Sequence, residues 1–345
     1  MFLYTELADY TVACLRALKS TEGVKSITVV HYPVNPEAPF KFDFGDIGEF
    51  INLGSFKGYG EFKKKIDTIR PHKIVVSGWV NRWYLRICGL YCRRVDCILT
   101  MDNHWKGTTK QRIFCLGSWL VLPRIFTKVW VPGLPQVSYA KKLGFNQSNI
   151  LQGFYCCDTD FYLSLGQDTL RSKAAQFPKR ILCVARYVPQ KNYNLLWDAF
   201  KKWKSETNNE WELWCAGTGE EFENRMLHPA IRHLGFIQKQ DWGVIIEQTG
   251  IFILPSIFEP WGVSVHEFAA LGYPLILSRQ VGAGSAFLGP ENGFFFDPDD
   301  TEKLIDIFTR IGSLSAEQLL SMGKVSRQLA GRITTEGWAR TLLNA

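Results

Sequence analysis

The fold is decided by residues 251–277, which read IFILPSIFEPWGVSVHEFAALGYPLIL. The first four residues are an apolar run, and a polar loop follows from Pro255. An amphipathic stretch then covers about 262–271, and a second apolar run covers 274–277. Apolar runs separated by a helical pattern are typical of a βαβ unit, in which a helix joins two buried parallel strands. The stretch therefore predicts a parallel sheet covered by helices.

The same alternation continues on both sides of this segment. Strands are predicted at 27–30, 73–76, 97–100 and 129–131, and again at 181–185, 211–216, 251–254, 274–277 and 293–296. Helices are predicted near 11–19, 61–69 and 136–143, and again near 192–204, 262–271, 301–311 and 315–330. This order of strands and helices predicts α/β domains with parallel sheets.

A chain of 345 residues is too long for one ordinary core and suits two domains. The alternation restarts at Arg180, and the segment 155–178, with Gly166, has the composition of a linker. We therefore predict two Rossmann-like domains, residues 1–157 and 158–331, whose parallel sheets face each other across a cleft. Ligands of such sheets bind beyond the carboxyl ends of the strands.

The net charge of +7 allows an anionic ligand, an anionic membrane surface or nucleic acid as a partner. The densest basic runs, 63–65 and 93–94, come with no nucleic-acid-binding motif, so no nucleic-acid partner is expected. Residues 82–86 mix arginine with tryptophan, tyrosine and leucine, which suits contact with an anionic membrane. The alternative interpretation is a basic surface over an ordinary core.

Nine cysteines are scattered along the chain, and some lie inside apolar runs such as 181–184. This distribution indicates reduced, buried thiols and a cytoplasmic protein. The first residues lack the basic-then-apolar pattern of a signal peptide. No uncharged apolar run reaches about 18 residues, so we expect no membrane-spanning helix.

Two glutamates, Glu259 and Glu267, lie on either side of Gly262, where the strand 251–254 leads through a turn into the next predicted helix. Pro260 suits the first turn of a helix, and the N–H groups of residues 262–264 would then be available to bind phosphate. Glu267 lies about a turn and a half into this helix, where its carboxylate can accept hydrogen bonds from a ribose diol. Glu259 precedes the helix and can bind hydroxyl groups of a sugar beyond the phosphates.

Two cations lie between the strand 181–185 and the helix that follows it. The planar guanidinium of Arg186 suits phosphate, and Lys191 adds a point charge. The alternative interpretation is a solvated basic loop. A Gly-x-Gly turn, Gly217-Thr218-Gly219, follows the next strand, but it is not the Gly-x-Gly-x-x-Gly of dinucleotide-binding enzymes.

Together these motifs resemble those of the retaining GT-B glycosyltransferases of family 4. Residues 259–274 are similar to the family's Glu-x7-Glu motif and to the Gly-x-Pro stretch that follows it. Arg186 and Lys191 are similar to the arginine and lysine with which the family binds the donor diphosphate. The resemblance has specific motifs over residues 150–345 and is one of pattern alone over 1–149.

The resemblance implies two sets of site residues. The catalytic set is Asp102, His104, Arg186, Lys191 and Glu259. The donor-binding set is Gly217, Gly219, Phe236, Ile237, Trp261, Gly262, Val263, Ser264 and Glu267. In the first domain, Asp102 holds the position at which the family has a histidine near the anomeric carbon. His104 is displaced from that position by two residues, so both stay candidates for contact with the sugar or the acceptor.

Three further stretches bear on the resemblance. Residues 6–9 stand where the family has a Gly-Gly loop. Residues 158–160, Asp-Thr-Asp, resemble the family's interdomain stretch rather than a metal-binding Asp-x-Asp, so no metal and no cofactor is expected. Residues 333–340 resemble a closing helix, and about 332–345 would thus complete the first domain.

The activity implied by the resemblance is transfer of a hexose from a nucleotide-sugar donor, with retention of the anomeric configuration. A UDP-sugar such as UDP-glucose is the expected donor, and a saccharide or lipid-linked saccharide is the expected acceptor. Such an enzyme would act in polysaccharide or glycoconjugate biosynthesis, in the cytoplasm or on the inner face of the plasma membrane. The alternatives are an inactive sugar-nucleotide-binding protein and an oxidoreductase or epimerase, although the latter needs a dinucleotide loop that is missing.

Overall fold

The computed structural model describes residues 1–33 and 42–345. These residues form two compact units. The first unit consists of Met1–Cys156 and Thr335–Ala345, and the second unit is Cys157–Thr334. The sequence predicts the corresponding boundaries at 157/158 and at 331/332.

Each unit is made of parallel strands and helices. The strands are β1 (Phe2–Tyr4), β2 (Thr28–His31), β3 (Glu49–Asn52), β4 (Lys73–Ser77), β5 (Asp96–Thr100), β6 (Lys128–Trp130), β7 (Ile150–Leu151), β8 (Arg180–Val184), β9 (Glu212–Ala216), β10 (Ile231–Gly235), β11 (Ile251–Leu254), β12 (Leu275–Ser278) and β13 (Gly293–Phe296). The helices are α1 (Asp9–Lys19), α2 (Tyr59–Ile69), α3 (Arg82–Tyr91), α4 (Thr109–Ile125), α5 (Leu134–Lys142), α6 (Thr159–Ala175), α7 (Tyr193–Glu206), α8 (Trp242–Gln248), α9 (Val263–Ala270), α10 (Gly284–Phe287), α11 (Thr301–Ser313), α12 (Ala316–Ala330) and α13 (Thr335–Leu343).

A seven-stranded parallel sheet forms the centre of the first unit, in the order β3-β2-β1-β4-β5-β6-β7. The sequence predicts β2, β4, β5 and β6, because strands buried on both faces read as continuous apolar runs. It does not predict β1, β3 and β7, which are two to four residues long. β3 also carries exposed Glu49 and Asn52 at the edge of the sheet, which hides the apolar pattern.

The helix α13 belongs to the first unit although it comes after the second unit in the sequence. The indole nitrogen of Trp338 donates a hydrogen bond to the carbonyl of Phe154 at 2.8 Å, and its ring lies 4.8 Å from that of Trp130. The ammonium of Lys73, at the start of β4, donates to the carbonyl of Leu342 at 2.9 Å. Residues that are far apart in the sequence therefore share one core.

The second unit contains a six-stranded parallel sheet in the order β10-β9-β8-β11-β12-β13. The sequence predicts five of these strands and misses β10. This strand lies at the edge of the sheet and carries Arg232 and His233, of which Arg232 is exposed. An edge strand with polar residues lacks the apolar run on which the prediction depends.

The prediction of a linker over 155–178 is wrong, because most of this segment forms α6. Asp158 caps the helix, and its carboxylate accepts a hydrogen bond from the N–H of Phe161 at 3.3 Å. Gly166 lies where α6 packs against α9, and a Cβ atom there would come within 2.8 Å of the carbonyl oxygen of Ala270. The glycine marks a close contact between helices rather than a flexible connection.

A buried histidine joins three segments of the second unit. The Nδ1 atom of His266, on α9, accepts a hydrogen bond from the N–H of Cys157 at 3.2 Å. Its Nε2 atom lies 3.0 Å from the carbonyl oxygen of Ala330, so the proton of the neutral ring sits on Nε2 and is donated to that oxygen. Burial lowers the pKa of His266 to about 4. The ring is therefore a neutral structural link over the physiological pH range.

Candidate active site

A pair of opposite charges lies at the carboxyl ends of two neighbouring strands of the second unit. Lys191 follows β8 and Glu259 follows β11, and these two strands pair directly. The ammonium of Lys191 forms an ion pair with the carboxylate of Glu259, and the two side chains are only 14% and 13% exposed. Two residues that the sequence assigns to the site from separate motifs are thus in contact.

The loops that carry this pair are joined by their main chains as well. The N–H of Ile257 donates a hydrogen bond to the carbonyl of Gln190 at 2.9 Å. Asn192 has a φ of +60°, and its side-chain amide nitrogen, Nδ2, donates to the carbonyl of Pro255 at 3.2 Å. The position of the lysine relative to the glutamate is therefore fixed by the backbone, and not only by their attraction.

The Gly-x-Gly turn packs against the loop that carries Arg186. A Cβ atom on Gly217 would lie 1.9 Å from the carbonyl oxygen of Ala185, and one on Gly219 would lie 2.5 Å from that of Tyr187. Both glycines also have positive φ, at +136° and +155°. Because no other residue fits these two positions without strain, the glycines hold the loop in place, and the side chain of Arg186 stays exposed at its tip.

The helix α9 begins at Val263, and Gly262 caps it with a φ of +95°. Pro260 lies before this cap and not in the first helical turn, so that part of the sequence prediction is wrong. The segment instead pairs with the loop after β12: the N–H of Glu259 donates to the carbonyl of Gln280 at 3.0 Å, and the N–H of Gly282 donates to that of Glu259 at 3.0 Å. This pairing positions Glu259 beside the start of the helix.

The side chains predicted to bind the donor near the start of α9 differ in how far they are exposed. Trp261 is 1% exposed, and its indole packs 6.1 Å from the ring of Phe287, so only its main chain is available to a ligand. Glu267 lies further along α9 and is half-buried. Ser264, in the first turn, is also half-buried and remains accessible in part.

The donor-binding candidates Phe236 and Ile237 follow the edge strand β10, and both are half-buried. The end of this strand is tied to the Gly-x-Gly turn, because the N–H of Gly217 donates to the carbonyl of Gly235 at 2.7 Å. His233, which the sequence does not single out, lies with its ring 2.8 Å from the hydroxyl of Tyr187. This contact joins β10 to the loop that carries Arg186. No pattern in the sequence predicts it.

A pocket of about 490 Å³ opens in the first unit at the carboxyl ends of β1, β4 and β5. Six aromatic side chains line it: Tyr4, Tyr10, Tyr32, Trp79, Phe154 and Tyr155. Glu6 and Asp102 are the charged residues among the described part of its lining, and both are acidic. The hydroxyl of Tyr4 is buried and has no hydrogen-bond partner among the described residues. The pocket therefore offers aromatic faces, hydroxyl groups and negative charge.

The pocket separates the two candidates of the first unit. Asp102 lines it, and its carboxylate accepts a hydrogen bond from the hydroxyl of Tyr155 at 3.1 Å. Burial raises the pKa of Tyr155, so this hydroxyl stays protonated and acts as a donor. His104 is not among the described lining residues; its carbonyl accepts from Gln111 at 2.9 Å, and burial lowers the pKa of its ring.

Comparison with known proteins gives a family match that lies within the second unit. Residues 168–328 match the family model described as Glycosyl transferases group 1. This segment belongs to the group 1 glycosyltransferases. The matched segment contains every predicted site residue of the second unit, from Arg186 to Glu267. Asp102 and His104 lie outside it.

The curated relatives of this chain include proteins named as synthases of a sugar or a sugar phosphate. The mannosylfructose-phosphate synthase of Agrobacterium fabrum is 24% identical over 179 residues, which are 44% of this chain and 39% of that protein. A sucrose synthase of Melioribacter roseus is 29% identical over 113 residues, which are 31% of this chain and 14% of that protein. The chain thus spans well under two thirds of the length of these relatives.

Solved structures are similar to this chain over nearly its whole length. The sucrose-phosphate synthase of Thermosynechococcus elongatus has a TM-score of 0.73 at 15% identity, covering 99% of this chain and 97% of that one. HepE of Anabaena in complex with UDP and glucose has a TM-score of 0.72 at 13% identity, covering 99% and 98%. At such low identity the likeness shows the fold alone. The fold is GT-B, with two Rossmann-like α/β domains, as the sequence predicts.

Proposed function

We propose that the chain transfers a hexose from a UDP-sugar, such as UDP-glucose, to a saccharide or lipid-linked saccharide acceptor, with retention of the anomeric configuration. The observation that carries this proposal is the contact of Lys191 with Glu259 beside the start of α9. A cation, an acid and the N–H groups of a helix start are then close together at the carboxyl ends of paired strands. These are the groups that a sugar diphosphate needs.

The diphosphate would be bound by positive charge without a metal ion. Arg186 and Lys191 would contact its oxygens, and the first-turn N–H groups of α9 would add their dipoles. Negative charge grows on the leaving phosphate in the transition state, so these groups stabilise that state more than the bound donor. We therefore expect activity to persist in a chelator.

Retention follows if the acceptor attacks from the face that the diphosphate leaves. The bond from the anomeric carbon to the phosphate oxygen breaks, and the acceptor oxygen forms the new bond on the same face. The proton of the acceptor hydroxyl passes to the departing phosphate oxygen. Glu259 and Glu267 would then bind sugar and ribose hydroxyl groups, and no carboxylate nucleophile is needed as in the glycosidases.

The pocket of the first unit is the proposed acceptor site. Aromatic faces pack on the C–H groups of a sugar ring, and carboxylates accept hydrogen bonds from its hydroxyl groups. Asp102 and Glu6 supply such acceptors there. The volume of about 490 Å³ lies within the range of small-molecule sites.

We also propose a cytoplasmic location for this activity. Seven of the nine cysteines are buried, as expected of thiols that stay reduced. Nucleotide-sugar donors and the polysaccharide or glycoconjugate pathways that use them would be available there.

Ligand binding is the first test of the proposal. Thermal unfolding is measured with UDP, UDP-glucose, GDP-mannose, ADP-glucose and NAD in the presence of a chelator. We expect stabilisation by UDP and by a UDP-sugar and none by NAD. Stabilisation by NAD alone would overturn the transferase assignment in favour of an oxidoreductase or epimerase.

Turnover is the second test, because a binding protein without activity would pass the first. Arg186→Ala removes an exposed guanidinium, so the unfolding temperature should not change. Transfer from the UDP-sugar should fall more than about tenfold, since a charged hydrogen bond to phosphate contributes about 1.5–3 kcal/mol. Arg171→Ala, an exposed arginine on α6, is the control and should leave transfer unchanged. Donor binding without any consumption across an acceptor panel would favour the inactive alternative.

A further inference from the structure

The helix α4 exposes a continuous set of large apolar side chains. The exposed fractions are 65% for Ile113, 38% for Phe114, 77% for Leu116, 56% for Trp119, 40% for Leu120 and 52% for Val121. Only Ser118 and Leu122 of this helix are buried. A helix on the surface of a globular protein normally turns its apolar residues to the core and its polar residues to water. Here most of the apolar residues lie outside.

This surface continues beyond the helix. The indole of Trp79 stacks on the ring of Phe114, with the centroids 5.4 Å apart. Val80, next in sequence, is 81% exposed, and Leu90 of α3, which packs against α4, is 54% exposed. We call the six exposed side chains of α4 together with Val80 and Leu90 the apolar face. Contiguous exposed apolar residues of this kind mark interaction sites.

The charges of the segment that carries the apolar face are almost all positive. Residues 79–127 contain eight basic residues, which are Arg82, Arg86, Arg93, Arg94, Lys106, Lys110, Arg112 and Arg124. The acidic residues of the same segment are Asp96 and Asp102. Asp102 lines the pocket of the first unit, so it neutralises little of this charge. The eight basic residues are all exposed, and we call them the basic rim. An apolar surface with a basic rim is complementary to an anionic lipid bilayer.

The structure revises the membrane surface that the sequence suggests. Tyr84 is 1% exposed and belongs to the core, and Trp83 and Leu85 are partly buried against it. The arginines of residues 82–86 thus remain as charge, but the apolar part of the surface comes from α4.

We propose that α4 lies in the interface of an anionic membrane, with the apolar face at the boundary of the acyl chains and the basic rim at the headgroups. In the described part of the chain, no helix is long and apolar enough to cross a bilayer. At 1.5 Å per residue, the 17 residues of α4 would extend over about 25 Å in the plane of the interface.

A second copy of this chain fits the apolar face less well. A two-fold dimer would bring the same face of both copies together, and with it two sets of basic residues. Like charges at a dimer interface oppose association, whereas anionic headgroups are attracted by each of them.

Membrane docking would bring the pocket of the first unit close to the lipid surface. Trp79 lines that pocket and also stacks on Phe114 of α4. If the proposed transferase activity is correct, an acceptor sugar linked to a membrane lipid could enter the pocket without leaving the bilayer. The docking itself does not depend on that activity.

Cosedimentation of the full chain with vesicles tests the proposal. The vesicles consist of phosphatidylcholine alone or of phosphatidylcholine mixed with phosphatidylglycerol, at low and at high salt. We expect binding to the anionic vesicles that weakens with salt, because the Debye length shortens. Leu116→Glu combined with Trp119→Glu should lower the partition coefficient about tenfold or more.

The control replaces two exposed apolar side chains of the second unit in the same way. Leu227 is 81% exposed and Val244 is 62% exposed, so Leu227→Glu with Val244→Glu adds the same charge at a different place. This variant should bind the vesicles almost as the unchanged chain does. Unchanged unfolding temperatures show that both variants are folded.

Three results would overturn the proposal. The first is no binding to anionic vesicles at low salt, and the second is equal loss of binding in both double variants. The third is a dimer in solution that the α4 substitutions dissociate, without any vesicle binding, which would identify a second copy as the partner of the apolar face. Donor binding, measured on the same samples, reports separately on the proposed function.

Discussion

Lys191 and Glu259 form an ion pair although they are 68 positions apart in the sequence. Both are mostly buried, so removing one partner leaves the other charge poorly solvated. We expect Lys191→Met and Glu259→Gln each to lower the free energy of unfolding by about 1–3 kcal/mol, and the double variant by less than the sum. Urea unfolding of the four proteins gives the coupling. The exposed pair Lys179–Glu210 is the control, and its coupling should be close to zero.

The same lysine should matter for the donor. Lys191→Met is expected to lower kcat/KM for the UDP-sugar more than about tenfold through loss of phosphate contact. An unchanged kcat/KM would show that the ion pair is structural and that the diphosphate is bound elsewhere.

Gly217→Ala should both destabilise the second unit and displace the loop that carries Arg186. The new methyl group would lie 1.9 Å from the carbonyl oxygen of Ala185, and the φ of +136° disfavours any side chain. We expect a loss of about 2 kcal/mol or more in urea unfolding, with weaker UDP binding. Gly243→Ala is the control, since a Cβ atom there meets nothing within 4 Å. Equal effects of the two substitutions would contradict the packing argument.

His266 should make the stability of the second unit depend on pH. Its pKa in the folded protein is about 4, below the ordinary value of 6.5, so the unfolded chain takes up a proton first as the pH falls. The neutral ring makes its full contribution to the free energy of unfolding above pH 6.5, and this contribution decreases between about pH 6.5 and 4. The total loss is about 3 kcal/mol. His266→Asn should flatten the profile of unfolding free energy against pH relative to the exposed control His72→Asn; parallel profiles would show that the buried ring is not responsible.

Asp102 and His104 should behave differently in transfer. Asp102→Asn is expected to lower transfer to the acceptor more than about tenfold, with the UDP-sugar still bound, because Asp102 lines the pocket. His104→Ala should change transfer by no more than about threefold. The test compares the transfer rates and the donor dissociation constants of the two variants. A larger loss of transfer in His104→Ala than in Asp102→Asn would place His104, rather than Asp102, at the reaction centre.

The acidic lining also predicts the charge of the acceptor. Glu6 and Asp102 would repel a phosphate group, so a neutral saccharide should have a lower KM than the same saccharide carrying a phosphate. Glu6→Gln should narrow this difference. A phosphorylated acceptor with the lower KM would contradict the assignment of the pocket.

The sequence predicts the parts of the fold that have a strong periodic signal. Strands β8 and β11 read as apolar runs because both faces of the sheet are covered. The edge strand β10 and the three-residue β1 give no such run. The helix α6 is missed because Gly166 resembles a linker residue until its contact with Ala270 is known.

The candidate site is predictable as motifs but not as contacts. Spacing and residue type indicate that Lys191 and Glu259 belong to it, yet their ion pair depends on the pairing of β8 with β11. Nothing in the sequence tells that the indole of Trp261 is buried. The choice between Asp102 and His104 also needs the positions of the strands around the pocket.

The split composition of the first unit has a consequence for biogenesis. Trp338 packs on Trp130 inside that unit, but residues 157–334 must be translated between them. At the usual speed of ribosomes, this takes on the order of ten seconds. During this time part of the interior of the nascent first unit stays exposed to solvent. The second unit is one continuous segment and can therefore complete its folding before the first unit does.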